Sequence, residues 1–69
     1  VKLSARNVMK GKVTSIEIGA VNAEVEVEIA PGVLLTSIIT KKSCEGLELE
    51  VGKEVYALTK ASNVMIGVD

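Results

Sequence analysis

Histidine, phenylalanine and tryptophan are absent from the 69 residues, and cysteine, proline and tyrosine occur once each. Each gap removes a class of function. Without histidine no Ser–His or Cys–His nucleophile can be assembled, and one chain cannot supply a tetrahedral zinc site. A Ser–Lys dyad through Lys60 is conceivable, but nothing in the sequence marks an oxyanion hole or substrate pocket beside it. No catalytic residue, bound metal or cofactor is therefore assigned, and a non-enzyme is expected. Cys44 has no partner for a disulfide and reads as a small apolar packing residue. A single unpaired cysteine suits a reducing compartment, so the cytoplasm is the expected location. No run approaches the ~18 consecutive apolar residues of a membrane span, and the N-terminus lacks the apolar core of a signal peptide.

The scarcity of aromatic residues and of net charge excludes more. Eight Lys/Arg against nine Asp/Glu leave a formal charge of −1, which gives no general attraction to nucleic acid or anionic lipid. Small barrels that bind single strands stack bases on aromatic platforms along a basic groove, and this chain offers only Tyr56. The distribution of charge says more than its sum. Lys2, Arg6, Lys10 and Lys12 lead the chain with no acid among them, and Glu17, Glu24, Glu26 and Glu28 follow. The glutamate row lies on one strand face and reads as a solvated surface. Any anion must then be held by placed donors, not by a broad field.

What is present is aliphatic. Hydrophobic residues make up 48% of the chain, more apolar surface than so small a domain hides alone. Domains of this size are usually stabilised by disulfides, a metal or oligomerisation. With the first two closed off, a homo-oligomer is expected.

Val21, Ala23, Val25, Val27 and Ile29 alternate with Asn22, Glu24, Glu26 and Glu28, the pattern of a strand with one buried and one wet face. Lys12 to Ile18 is a β-branched strand whose phase slips between Val13 and Ile16, so a bulge is expected near Ser15. Gly19 suits the first central position of a type II′ turn between these strands. Pro31-Gly32 fits a type II turn. Val33 to Thr40 reads as a third strand buried on both faces. Lys41 to Gly46 allows one helical turn, and Gly52-Lys53 a further turn. Glu54 to Thr59 and Asn63 to Val68 supply two more strands. The expected fold is all-β, an OB-like five-stranded small barrel with one short helical turn, in a single domain over residues 1–69.

Two polar clusters flank this frame, Ser4-Ala5-Arg6-Asn7 and Lys60-Ala61-Ser62-Asn63, each with one cation, a hydroxyl and an amide. Either is ordinarily a solvated terminus or a polar connection. Brought together they offer the guanidinium fork of Arg6, the ammonium of Lys60, hydroxyls and backbone N–H groups, a donor set suited to an oxyanion. Thr40-Lys41-Lys42-Ser43 opens the helical turn, where Thr40 or Ser43 is an ordinary N-cap. The same position also favours an anion.

As an ordered set these motifs carry a resemblance. Ser4-Ala5-Arg6-Asn7, Lys10-Gly11-Lys12-Val13, Thr36-Ser37-Ile38-Ile39 and Lys60-Ala61-Ser62-Asn63-Val64-Met65-Ile66 resemble the molbindins, the Mop family. Their domain, also called TOBE, occurs in molybdate-responsive regulators and in molybdate-transporter ATPase subunits. The resemblance covers essentially the whole chain. It implies an OB-like barrel whose long first hairpin helps to join subunits, a hexamer built as a trimer of dimers, and oxyanions held at subunit interfaces. Carried over by motif, the oxyanion-binding residues are Ser4, Ala5, Arg6, Thr40, Ser43, Lys60, Ala61 and Ser62. Glu45 beside this set opposes an anion. Because the aliphatic excess calls for an oligomer, Arg6 and Lys60 are expected to meet across a subunit boundary.

The implied ligand, molybdate or tungstate, is a tetrahedral dianion that only accepts hydrogen bonds. A site made solely of donors fits it, its spacing can disfavour the smaller sulfate, and a protonated phosphate would need an acceptor. The expected role is intracellular molybdenum storage and homeostasis. Two alternatives are an accessory or oligomerisation module of a molybdate-responsive regulator or transporter, and OB-type single-strand nucleic-acid binding.

Overall fold

The structure is a computed structural model that describes residues 3–69; Lys2, counted above in the basic lead, lies outside the described residues. Four strands, β1 (Asn7–Ile18), β2 (Asn22–Ala30), β3 (Val33–Thr40) and β4 (Glu54–Thr59), form one antiparallel sheet in the order β3-β2-β1-β4. A single helical turn, α1 (Lys41–Gly46), follows β3, and a 3-10 turn, Ala61–Asn63, follows β4.

β1 begins at Asn7, well before the β-branched run that opens at Lys12. Its first half is a strand because β4 pairs with it from Asn7↔Thr59 to Lys12↔Glu54, while its second half pairs with β2. Gly11 sits in the first half where the chains pass closely. A Cβ there would fall 2.5 Å from the Glu28 carbonyl oxygen and 2.7 Å from Val27 Cγ1, so glycine alone fits. The bulge falls between Val13 and Ser15, leaving Thr14 unpaired. The Thr14 hydroxyl turns to the Glu26 carbonyl at 3.2 Å and the Glu26 carboxylate at 3.1 Å. The loop from α1 to β4 closes over this bulge: Val13 N–H donates to the Lys53 carbonyl, and Gly52 N–H donates to the Val13 carbonyl.

The turns divide. Gly32 adopts φ +76° in the β2–β3 turn, as Pro-Gly requires, and Gly52 adopts φ +93° before β4. Gly19 does not adopt positive φ, so the expected type II′ turn is not formed. Its N–H instead donates to the Asn22 carbonyl at 2.8 Å, which puts Ala20 and Val21 at the tip of the hairpin. Val21 is consequently 70% exposed and leaves the alternating apolar face.

Val13, Val25 and Val27 form the core, packed by Ile16, Ile29, Ile39, Leu49 and Val55, and Ala23 and Cys44 are also buried. β3 is not buried on both faces. It is a sheet edge, and no second layer covers its outer side, so Leu34 and Ile38 stay 48% and 67% exposed. The fifth strand is also corrected. Asn63 N–H and Val64 N–H bond to the Lys60 and Ala61 carbonyls, and that turn carries the chain away from β4. Residues 64–69 are irregular and exposed. Among the described residues the fold is therefore an unclosed four-stranded sheet with one helical turn, not a five-stranded barrel.

Candidate functional site

The register of β1 against β4 decides where the terminal clusters lie. Asn7 opposes Thr59 as the last pair of an antiparallel ladder, so the chain entering β1 and the chain leaving β4 emerge side by side. Ser4, Ala5 and Arg6 precede that pair, and Lys60, Ala61 and Ser62 follow it. Arg6 and Lys60 thus belong to one end of one strand pair in a single chain, where a subunit boundary between them was expected. The physical reason is the length of β1, whose extra first half exists only through β4.

The electrostatics of this end suit an anion. Among the described residues the one ion pair joins Lys10 and Glu54 at 3.3 Å, both exposed. Among the described residues Arg6 and Lys60 have no carboxylate partner, and both are exposed. Lys60 is the N-cap of the 3-10 turn and makes no side-chain capping bond. The N–H groups of Ala61 and Ser62 have no backbone acceptor among the described residues, as the first N–H groups of a helical turn generally do not. This end presents two cations, the hydroxyls of Ser4 and Ser62, and open backbone donors.

Thr40 and Ser43 lie elsewhere. Thr40 pairs with Asn22 at the start of β2, and Lys41 N–H donates to the Val21 carbonyl at 2.7 Å. They therefore flank the β1–β2 hairpin tip, at the far end of the 12-residue β1 from Asn7. Thr40 is the N-cap of α1. Its Oγ1 accepts from Ser43 N–H at 3.0 Å and donates to Ser43 Oγ at 2.8 Å. That leaves the Ser43 hydroxyl proton as the outward donor of the pair. Glu45 is exposed on the same turn. Six of the eight expected site residues are thus gathered at one end, and two stand at the other.

An open groove of about 910 Å³ runs between the two sheet edges, with Leu35, Ser37, Ile39, Val55, Thr59 and Val64 among its lining. Thr36 and Asn63 also border it; the sequence had given Thr36 and Ser37 no binding role, and had read Asn63 only as part of the Lys60–Asn63 cluster. The Thr36-Ser37 pair inside an otherwise aliphatic strand was the available signal. Among the described residues no three His, Cys, Asp or Glu side chains cluster as metal ligands, and no helix is long and apolar enough to cross a membrane.

Comparison with known proteins gives a consistent answer. Residues 3–66 match the TOBE domain. A probable molybdenum-pterin-binding protein of Haemophilus influenzae is 53% identical over 68 residues, covering 99% of each chain. The structure of MopII from Clostridium pasteurianum superposes with a TM-score of 0.90 at 46% identity, over 97% of this chain and 100% of that one. ModG, a cytoplasmic molybdate-binding protein solved with molybdate bound, superposes with a TM-score of 0.95 at 46% identity, over 100% of this chain and 49% of that one.

Proposed function

The chain belongs to the TOBE domain family, and from that premise we propose that it binds molybdate, or the isostructural tungstate, as a non-catalytic oxyanion carrier. The observation that carries this reading is the pairing of two donor-rich clusters at the Asn7↔Thr59 end, whose cations have no carboxylate partner among the described residues. A tetrahedral dianion supplies the missing negative charge and accepts from every donor present. Charge-assisted hydrogen bonds contribute about 1.5–3 kcal/mol each, so four converging ones of about 2 kcal/mol reach micromolar affinity.

In this reading Ser4, Ala5, Arg6, Lys60, Ala61 and Ser62 of one copy form one wall of the site. Thr40 and Ser43, which stand at the other end of the sheet, come from a second copy. The oxyanion then sits at a subunit interface, and binding strengthens assembly. A homohexamer arranged as a trimer of dimers satisfies this geometry with repeated equivalent interfaces. The role is storage and buffering of molybdenum in the cytoplasm, with neither nucleic acid nor membrane as partner.

Titration calorimetry with molybdate, tungstate, sulfate and phosphate tests the proposal. Saturable binding of the first two, at least tenfold tighter than sulfate or phosphate, is expected. Equal affinity for all four anions, or no heat with molybdate, would refute it.

A further inference from the structure

α1 is held at both ends, and the group at its C-terminal end has no part in the site described above. Six residues make a helix too short to persist alone, so its two ends decide whether it stays wound. Thr40 caps the N-terminus. At the other end Glu48 N–H donates to the Glu45 carbonyl at 3.0 Å, and Leu49 N–H to the Cys44 carbonyl at 3.2 Å. This paired bonding is the Schellman arrangement, which needs a left-handed residue just past the cap and usually has glycine there. Here that residue is Glu48 at φ +53°, the one non-glycine at positive φ among the described residues. A residue with a Cβ adopts that conformation at a cost.

The Lys53 ammonium is placed to offset it. Nζ donates to the Leu47 carbonyl at 2.8 Å and to the Glu48 carbonyl at 3.1 Å. These carbonyls belong to the two peptide units flanking the Glu48 Cα, so one side chain fixes both of its dihedrals. A cation is also favoured at a helix C-terminus. The backbone of Lys53 is anchored in turn, because its carbonyl accepts from Val13 N–H at 3.0 Å and Val13 is the most buried side chain of the core.

We propose that Lys53 is a positioning residue for the oxyanion site. By holding the Glu48 turn it keeps α1 wound, and through the 2.9 Å bond from Leu47 N–H to the Ser43 carbonyl it keeps Ser43 where Thr40 aims it. The functional half of this inference rests on the oxyanion reading, whereas the clamp itself is tested without ligand.

Methionine keeps the apolar stem of this half-buried lysine and removes only its donors, so Lys53→Met is the first variant. Amide hydrogen exchange of the ligand-free protein should show lost protection at Ser43, Leu47 and Leu49, with Val25 and Val27 in β2 unchanged. Unchanged protection in α1, or an equal loss throughout, overturns the clamp. Glu48→Gly alone, which disturbs no hydrogen bond of the Glu48 side chain, should raise protection of the same α1 amides, and unchanged protection there also overturns it. Molybdate titration then reads the functional half. Lys53→Met should bind about tenfold more weakly, the scale of one charge-assisted hydrogen bond. Adding Glu48→Gly should restore affinity, because glycine takes the left-handed turn freely, while adding Glu48→Gln, which removes the same charge, should not. Wild-type affinity in Lys53→Met, or equal rescue by glutamine, overturns the positioning role. Absence of molybdate heat in the wild type refutes the oxyanion reading and with it that role, and leaves the exchange result to decide the clamp.

Discussion

Arg6 and Lys60 are informative through what does not surround them. Lys10 is neutralised by Glu54, whereas these two cations face no carboxylate among the described residues. In the interfacial reading, where a second copy covers Arg6, Arg6→Ala is predicted to weaken molybdate binding by about 2–5 kcal/mol, the range for removing one partner of a desolvated charge pair. Arg6→Lys should recover only part of the loss, because an ammonium lacks the planar fork. Calorimetry on both variants decides it, and wild-type affinity in Arg6→Ala would move the site elsewhere. Gly11 is informative for the opposite reason, being crowded by backbone that cannot yield. Gly11→Ala should lower stability by about 1–3 kcal/mol, read as a fall in urea midpoint. Residue types with purely local consequences were legible in the sequence, as Gly32 after Pro31 shows. Gly19 was not, because the turn it joins takes its shape from the Gly19–Asn22 hydrogen bond at the closing end of the ladder.

Elements were legible where their pattern is self-contained. The alternation through β2, the bulge beside Ser15, the single turn of α1 and the strand β4 all follow from periodicity or turn chemistry in their own residues. Those set by a distant partner were not. Residues 7–11 look unlike a strand until β4 is laid against them, and residues 64–68 look like a strand that this chain does not complete. The cap of α1 is the clearest local device, with Thr40 holding Ser43 through two hydrogen bonds. Thr40→Ala is predicted to cost about 1 kcal/mol of stability, seen as a lower urea midpoint at unchanged slope. In the interfacial reading it should also weaken molybdate binding, by orienting Ser43 less well. An unchanged affinity would limit Thr40 to capping.

The whole molecule has too small a core for its aliphatic content. Val13, Ala23, Val25, Val27 and Cys44 are buried, while Met65, Ile66 and Val68 remain in solvent. Fully burying each large aliphatic side chain contributes about 1.5–3 kcal/mol, so an association that buried all three would stabilise this chain by an amount comparable to a small domain's entire stability. The aliphatic excess was legible from composition, but which residues stay exposed was not, since that depends on the register of β1 with β4. Ligand should reinforce assembly. Molybdate at 100-fold above Kd is predicted to stabilise by about 2.7 kcal/mol per site, seen by scanning calorimetry as a rise in Tm of about 4–8 °C per kcal/mol. An equal rise with sulfate would contradict selectivity. The central claim is that one oxyanion is held by the Arg6–Lys60 end of one copy and the Thr40–Ser43 end of another, and complementation tests it most directly. Molybdate is titrated calorimetrically into Arg6→Ala, into the double variant Thr40→Ala/Ser43→Ala, and into an equimolar mixture of the two refolded together. Each variant alone should bind weakly, while the mixture recovers near-wild-type affinity at a fraction of its sites, where an intact half from each chain meets. A mixture that binds no better than its components would contradict the account.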